Sequence, residues 1–191
     1  DGSCPTDTIL LSVIDSSPLG AIIHKLNKHS QNLYAETLLL HLARRTGDGS
    51  RDSGIATVRK FLRELKVPLG GVALHGGSGL SRTDTVTARA LVSFFFAMQR
   101  EPHFAVWRDS LPVLGVDADL RHRAQGTPLA GKVHAKTGYL GGPPTRTLAG
   151  YLEGRSGRTY CFAFLVNHFS HDYTEVDKDV DAALLALYEM L

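Results

Sequence analysis

The spacing of apolar residues changes once along this chain, and that change restricts the fold more than any motif does. Through the first two thirds, apolar residues recur at helical intervals. Leu19, Ile22, Ile23 and Leu26 form one such set, after a Ser17-Pro18 helix start with serine capping and proline in the first turn. Residues 32–45 read as a leucine-rich helix buried on much of its circumference. Ile55, Val58, Leu62 and Leu65 give a third helix, capped by Ser53. Residues 87–100 give a fourth, and residues 101–126 hold short helices. The last third alternates as strands do, at residues 132–135, 147–153 and 159–167. The turn Gly154-Arg155-Ser156-Gly157 joins the second and third as a hairpin. Residues 176–191 close the chain as an amphipathic helix. Helices, then an antiparallel hairpin, then a helix predict an α+β fold rather than repeated βαβ units. Residues 1–191 read as part of one domain: a lead-in at 1–16 with a short extended run at 9–14, a mainly helical part at 17–126, and strands plus the closing helix at 127–191.

Composition narrows the function classes. Hydrophobic residues make up 43%, which excludes disorder, and 191 residues suffice for a real core. A net charge of +2 without a basic run gives no case for nucleic acid. No apolar stretch reaches the length of a transmembrane segment, and no signal-peptide pattern is visible in a sequence that opens on Asp1-Gly2-Ser3-Cys4. Cys161 reads as a buried thiol, and a Cys4–Cys161 disulfide would require an oxidising compartment. The scattered histidines show no zinc-ligand spacing, so neither a metal nor another cofactor is expected.

Two tripeptides carry the chemistry, Ser30-Gln31-Asn32 and Lys136-Thr137-Gly138. Lys136 follows a predicted strand, so its ammonium would stand at a strand end and could bind a carboxylate or bias a proton transfer. Thr137 would add a hydrogen bond, and Gly138 would permit close approach of a substrate backbone. A P-loop is excluded, because Ala135 and not glycine precedes Lys136. Ser30 could relay a proton and Asn32 hold a substrate carbonyl. Taken singly, a surface turn and a helix cap explain these tripeptides better than chemistry does.

Their context tips the balance. The stretch Asn27-Lys28-His29-Ser30-Gln31-Asn32-Leu33-Tyr34-Ala35-Glu36 resembles the Ser-x-Asn region of DacB-type D-alanyl-D-alanine carboxypeptidases and endopeptidases, penicillin-binding proteins of peptidase family S13. Gly77-Ser78-Gly79-Leu80-Ser81-Arg82 resembles a second stretch of that family. His134-Ala135-Lys136-Thr137-Gly138, followed by Leu148-Ala149-Gly150-Tyr151, resembles a third. Ser-x-x-Lys, Ser-x-Asn and Lys-Thr-Gly together mark a serine acyl-transfer site.

The resemblance implies a penicillin-binding, serine β-lactamase-like domain, with a five-stranded antiparallel sheet sandwiched by helices and its first two strands supplied by upstream sequence. It implies attack of a serine on the peptide bond between two D-alanines of a peptidoglycan stem peptide, with β-lactams bound at the same site. Ser30 and Lys136 would assist proton movement, Asn32 would hydrogen-bond the substrate amide, and Lys136 and Thr137 would receive the terminal carboxylate. The Tyr139 N–H would serve as one oxyanion-hole donor beside Gly138. It implies a periplasmic or other extracytoplasmic location.

Three departures qualify this. No serine here is followed three residues later by lysine, so the nucleophile is expected upstream and this chain alone inactive. Gly76 stands where the family usually has aspartate, and Tyr139 where a small Thr or Ser is usual; the loop at 141–146 looks slightly long. The strand at 159–167 would lack a neighbour, so pairing with an upstream fragment or self-association is expected. The alternative is a non-catalytic relative that binds peptidoglycan peptide or a partner.

Overall fold

The computed structural model describes residue 9 and residues 11–191. Cys4 lies outside the described residues. Five helices come first: α1 (Leu19–His29), α2 (Asn32–Thr46), α3 (Arg51–Glu64), α4 (Ala88–Met98) and α5 (Phe104–Ser110). A single 3₁₀ turn at Ala118–Leu120 leads to strands β1 (Val133–Gly141), β2 (Pro144–Glu153) and β3 (Thr159–Asn167), and α6 (Tyr173–Met190) closes the chain. No described helix is long and apolar enough to cross a membrane.

Local sequence explains most boundaries, and corrects some expectations. Pro18 itself caps α1, with no side-chain cap; its carbonyl accepts from Ala21 and Ile22 N–H at 2.9 and 3.2 Å. The serine cap expected from Ser17-Pro18 is therefore absent. Ser50, not Ser53, caps α3 and accepts from the Ser53 N–H at 3.2 Å. Of α2 only Leu39 and Ala43 are buried, while Leu33, Leu40 and Leu42 are exposed, so its leucines do not mark all-round burial among the described residues. Where α2 meets α3, a Cβ on Gly54 would lie 2.7 Å from the Leu39 carbonyl oxygen; glycine lets the two helices touch. The described residues of the 9–14 run form no strand and expose Ile9, Leu11, Val13 and Ile14.

The sheet is antiparallel in the order β1-β2-β3. Val133 pairs with Leu152 and Gly141 with Pro144, so β1 extends six residues past Ala135. Lys136-Thr137-Gly138 thus lies within the strand rather than at its end, and the 141–146 loop is a tight turn. Alternation gives the sheet two apolar faces. Val133, Ala135, Leu148, Leu152 and Phe162 pack with Val176, Val180 and Leu184 of α6. Ala149 and Tyr151 pack with Phe95 of α4 and with Leu111, and the Tyr151 hydroxyl donates to the Phe95 carbonyl at 2.8 Å. Each fully buried leucine here contributes about 1.5–3 kcal/mol. Among the described residues β3 pairs only with β2.

Four charges fasten α6 to the sheet. Arg146 of β2 holds Asp177 through two hydrogen bonds of 2.7 Å. Arg123 reaches the same carboxylate at 3.0 Å and Asp181 at 2.7 Å. All four side chains are largely buried, so each depends on its partners. Asp177→Asn, which takes a counter-charge from both arginines, is expected to cost about 3 kcal/mol. Urea unfolding with an unchanged slope would show this; a loss below 1 kcal/mol would count against it.

Candidate active site

Ser30 sits in the two-residue link between α1 and α2 with φ 49° and ψ 49°, the left-handed region that costs a non-glycine residue about 1 kcal/mol or more. Neighbouring bonds enforce that turn. The Gln31 N–H returns to the Leu26 carbonyl at 3.0 Å. Asn27 donates to Ser110 Oγ at 2.7 Å, and the Ser110 hydroxyl in turn donates to the Trp107 carbonyl at 2.6 Å. Lys28 Nζ, buried, donates to the Leu111 carbonyl and to Asp117 Oδ2, both at 2.6 Å. Asp117 Oδ1 accepts the Val113 N–H at 2.8 Å. The segment so gripped then lies along β1: the Leu114 N–H donates to the Val133 carbonyl at 3.0 Å, and the Ala135 N–H to the Pro112 carbonyl at 2.9 Å.

These last bonds set the parity of β1. Val133 and Ala135 turn their backbone groups away from β2, so Thr137 and Tyr139 do the same. Segment 112–114 covers the edge only as far as Ala135. From Thr137 onward the edge is unpaired among the described residues, with the Tyr139 N–H directed into the open.

Lys136 reaches across this edge. Its Nζ donates to Ser30 Oγ at 2.5 Å and to the Thr137 carbonyl at 3.1 Å. The two tripeptides are therefore joined by a direct bond, and neither Ser30 nor Asn32 acts as a side-chain cap. Burial pulls the Lys136 pKa below the ordinary lysine value, and the Asp119 charge opposes the shift. Thr137 donates its hydroxyl proton to Asp119 Oδ2 in a short bond. A Cβ on Gly138 would lie 2.5 Å from Thr147 Oγ1, so this glycine gives way to β2. Tyr139 is exposed, its ring 5.5 Å from that of Tyr173, over which Arg146 lies at 5.3 Å. Asn32 opens α2 two residues beyond Ser30, exposed.

The glycine-rich loop is held by Glu36. Its Oε1 accepts the Gly77 and Ser78 N–H groups, both at 3.0 Å, and the Ser78 hydroxyl at 2.7 Å. Those bonds, the Ser78 hydroxyl foremost, lower the Glu36 pKa. A Cβ on Gly77 would lie 2.4 Å from the Ala35 carbonyl oxygen, so the loop rests directly on the backbone of α2. Before this loop, His75 Nδ1 lies 2.9 Å from Asp84 Oδ1.

The sequence reading gave no role to Lys28, Glu36, Asp117, Asp119 or Arg146. Lys28 and Glu36 stood inside the stretch that carried the resemblance, and their spacing from Ser30 and Asn32 was the available signal. Nothing local pointed to the other three.

Replacing Lys28 by methionine is expected to cost about 2–3 kcal/mol, at the low end for a broken buried pair because Asp117 is 37% exposed. Chemical denaturation checks this, and a neutral result would remove Lys28 from the account. His134 gives a pH dependence. Its Nε2 faces Arg108 Nη2 at 3.3 Å, and guanidinium only donates, so the ring proton belongs on Nδ1. Burial first, then Arg108 and Lys28, hold its pKa below the usual value. The folded state then binds fewer protons than the unfolded one, so stability falls as pH drops below about 6.5. His134→Gln is expected to flatten that part of the stability–pH curve.

Comparison with known proteins supplies the family. A profile of the D-Ala-D-Ala carboxypeptidase 3 (S13) family matches residues 2–189. The chain is 34% identical over 188 residues to a D-alanyl-D-alanine carboxypeptidase of Actinomadura sp. (strain R39), covering 95% of this chain and 34% of that protein. It is 28% identical over 170 residues to the D-alanyl-D-alanine carboxypeptidase DacB of Haemophilus influenzae, covering 87% of this chain and 35% of the relative. The chain thus spans about a third of the length of these relatives. Penicillin-binding protein 4 of H. influenzae superimposes with a TM-score of 0.81 at 25% identity, over 90% of this chain and 40% of that one. The TLA-3 extended-spectrum β-lactamase shares the fold alone, with a TM-score of 0.68 at 15% identity, over 90% of this chain and 63% of that one. The helix-flanked antiparallel sheet is of the penicillin-binding and serine β-lactamase type, and the chain belongs to the S13 family of D-Ala-D-Ala carboxypeptidases.

Proposed function

We propose that this chain forms two walls of a serine acyl-transfer site acting on the D-alanyl-D-alanine end of peptidoglycan stem peptides, on the extracytoplasmic side of the cell. The observation that carries the reading is the Lys136–Ser30 bond of 2.5 Å at an open strand edge. A nucleophilic Ser-x-x-Lys segment from outside these residues would complete the site, since no serine in the chain has that lysine.

The roles follow from position. The open edge of β1 would pair with an extended peptide, adding it to the sheet. Gly138 keeps the strand pair close, and the Tyr139 N–H on that edge serves as an oxyanion donor; the nucleophile's own N–H would be the other. Lys136 and Ser30 form a proton path: an ammonium held below its ordinary pKa gives up a proton more readily, and Ser30 relays it toward the leaving amine. Thr137 and Lys136 face the substrate's C-terminal end, and Asn32 the amide preceding the scissile bond. The attacking serine exchanges the carbonyl–amine bond for an ester, and water then frees the acyl group. β-Lactams, as cyclic amides, would acylate the same serine.

The lone edge of β3 supports the view that these residues work joined to further strands, or else pair with a second copy. A monodisperse monomer of the 191-residue chain in sedimentation would sink that part. The second reading is a relative that binds peptide without turnover, which a parent protein lacking Ser-x-x-Lys upstream of Asp1 would favour.

A fluorescent penicillin followed by intact-mass analysis separates the two. The 191-residue chain alone is expected to gain no adduct; joined to a parental Ser-x-x-Lys segment it is expected to acylate. In that joined protein Ser30→Ala and Lys136→Met are each expected to slow acylation by about 10²-fold or more. An adduct on the chain alone, or no adduct on the joined protein, would overturn the proposal.

A further inference from the structure

We propose that the rings of Tyr139 and Tyr173 are positioning groups for the reaction: with Arg146 and Asp177 they hold the end of β1 so that the Tyr139 N–H stays aimed at the developing oxyanion. This rests on the site reading above and deepens it. The need for such a device follows from the parity of β1. Tyr139 turns its backbone groups to the open edge, so β2 gives it no hydrogen bond. Gly138 precedes it and Gly141-Gly142 follow, residues with wide conformational freedom and no side chain to pack. The strand ends at Gly141, in the turn to Pro144. The donor thus stands on a stretch with few restraints of its own, and its side chain is what can tie it down.

Four side chains close a ring of contacts there. Tyr139 pairs across the strands with Arg146, in the non-hydrogen-bonded type of pair, whose side chains lie closer. The Tyr139 ring lies 5.5 Å from that of Tyr173, the first residue of α6, at an interplanar angle of 52°. The Arg146 guanidinium lies 5.3 Å from the centre of the same Tyr173 ring. Arg146 is fixed in turn by two 2.7 Å bonds to Asp177, which stands four residues after Tyr173 on the same side of the helix. Arg146 and Asp177 are each only 13% exposed, so the exposed tyrosine pair rests on a buried base. Asp172 accepts the Thr174 N–H at 2.8 Å and so caps the turn that carries Tyr173. Lys136 has the opposite parity to Tyr139 and leaves the other face of the sheet, toward Ser30. A tyrosine is therefore accommodated where the family usually has a small Thr or Ser, because its ring turns to α6 and not to the Lys136–Ser30 pair.

The test uses the protein joined to its parental Ser-x-x-Lys segment. Acylation by a fluorescent penicillin over a range of concentrations separates the acylation rate constant from the affinity of the complex that precedes it. Tyr173→Ala and Tyr139→Ala are each expected to lower the rate constant about fivefold and to leave that affinity within about twofold, the loss being set by the strength of one aromatic pair. The double variant is expected to lose no more than either single one, since both remove the same contact. Tyr173→Phe, which keeps the ring, is expected to acylate at close to the unaltered rate. Unchanged rate constants in the alanine variants, losses that multiply in the double variant, a loss confined to affinity, or a Tyr173→Phe protein as slow as Tyr173→Ala would overturn this inference and leave the site reading standing. If one alanine variant fails to fold, the rate constants of the other and of Tyr173→Phe decide. No acylation of the unaltered joined protein would overturn both.

Discussion

The Lys28 ammonium, held between the Leu111 carbonyl and the Asp117 carboxylate, is the contact on which the rest of the site depends. Ser30 belongs to the helical layer and Lys136 to the sheet, and a bond between them has value only if the layers keep a fixed offset. The segment from Leu111 to Asp117 provides it. Both of its ends take Lys28 from α1; the middle bonds to Val133 and Ala135 of β1. A lysine can do this because it carries several donors on a long stem and can satisfy a carbonyl and a carboxylate at once. A surface ion pair would be worth little, but Lys28 is buried, so its bonds are hard to exchange for water.

Glu36 does for the glycine loop what Lys28 does for β1. It is one turn into α2, and it gathers three donors from Gly77 and Ser78 onto one oxygen. A side chain at Gly76 would crowd that oxygen, since a Cβ there would lie 2.7 Å from it. The glycine at a position where the family usually has aspartate is thus compatible with the Glu36 anchor. Lys28 of α1 and Glu36 of α2, on either side of the Ser30–Asn32 link, thus anchor the segment beside β1 and the glycine loop.

The architecture was readable where the pattern was dense. β2 and β3 alternate cleanly around a glycine-bounded turn, and α6 carries a long apolar stripe. β1 was cut short at Ala135 because Lys136, Thr137 and Gly138 do not alternate; pairing with β2 extends the strand through them. α2 was misjudged because leucine density does not specify which leucines face inward. In the site, Ser30 and Lys136 were legible as ordered tripeptides. Asp117, Asp119 and Arg146 were not, since a charged residue that will find its partner across 18 to 89 positions looks like any solvated one. Such residues act through tertiary geometry, which leaves no local period.

Two left-handed residues lie beside the chemistry, while Lys66, Ala124 and His168 share that conformation elsewhere. Ser30 and Ala118 are both non-glycine residues in the left-handed region, and both lie within a residue or two of a side chain that touches Lys136 or Thr137. Lys136 itself is a charge held where burial disfavours it. A well-packed apolar residue would serve the fold at least as well there. Each of these costs stability, and bonds hold each in place: the Ser30 N–H to the Leu26 carbonyl, the Lys28 grip on Asp117 beside Ala118, and the Lys136 bonds to Ser30 and Thr137. Strain held locally and offset by the surrounding structure is what a preorganised site requires, because donors already in position need not reorganise when charge develops. Backbone outliers alone do not mark the site; the half-buried Lys136 bonded to Ser30 beside an open strand edge is what favours chemistry there over a surface turn.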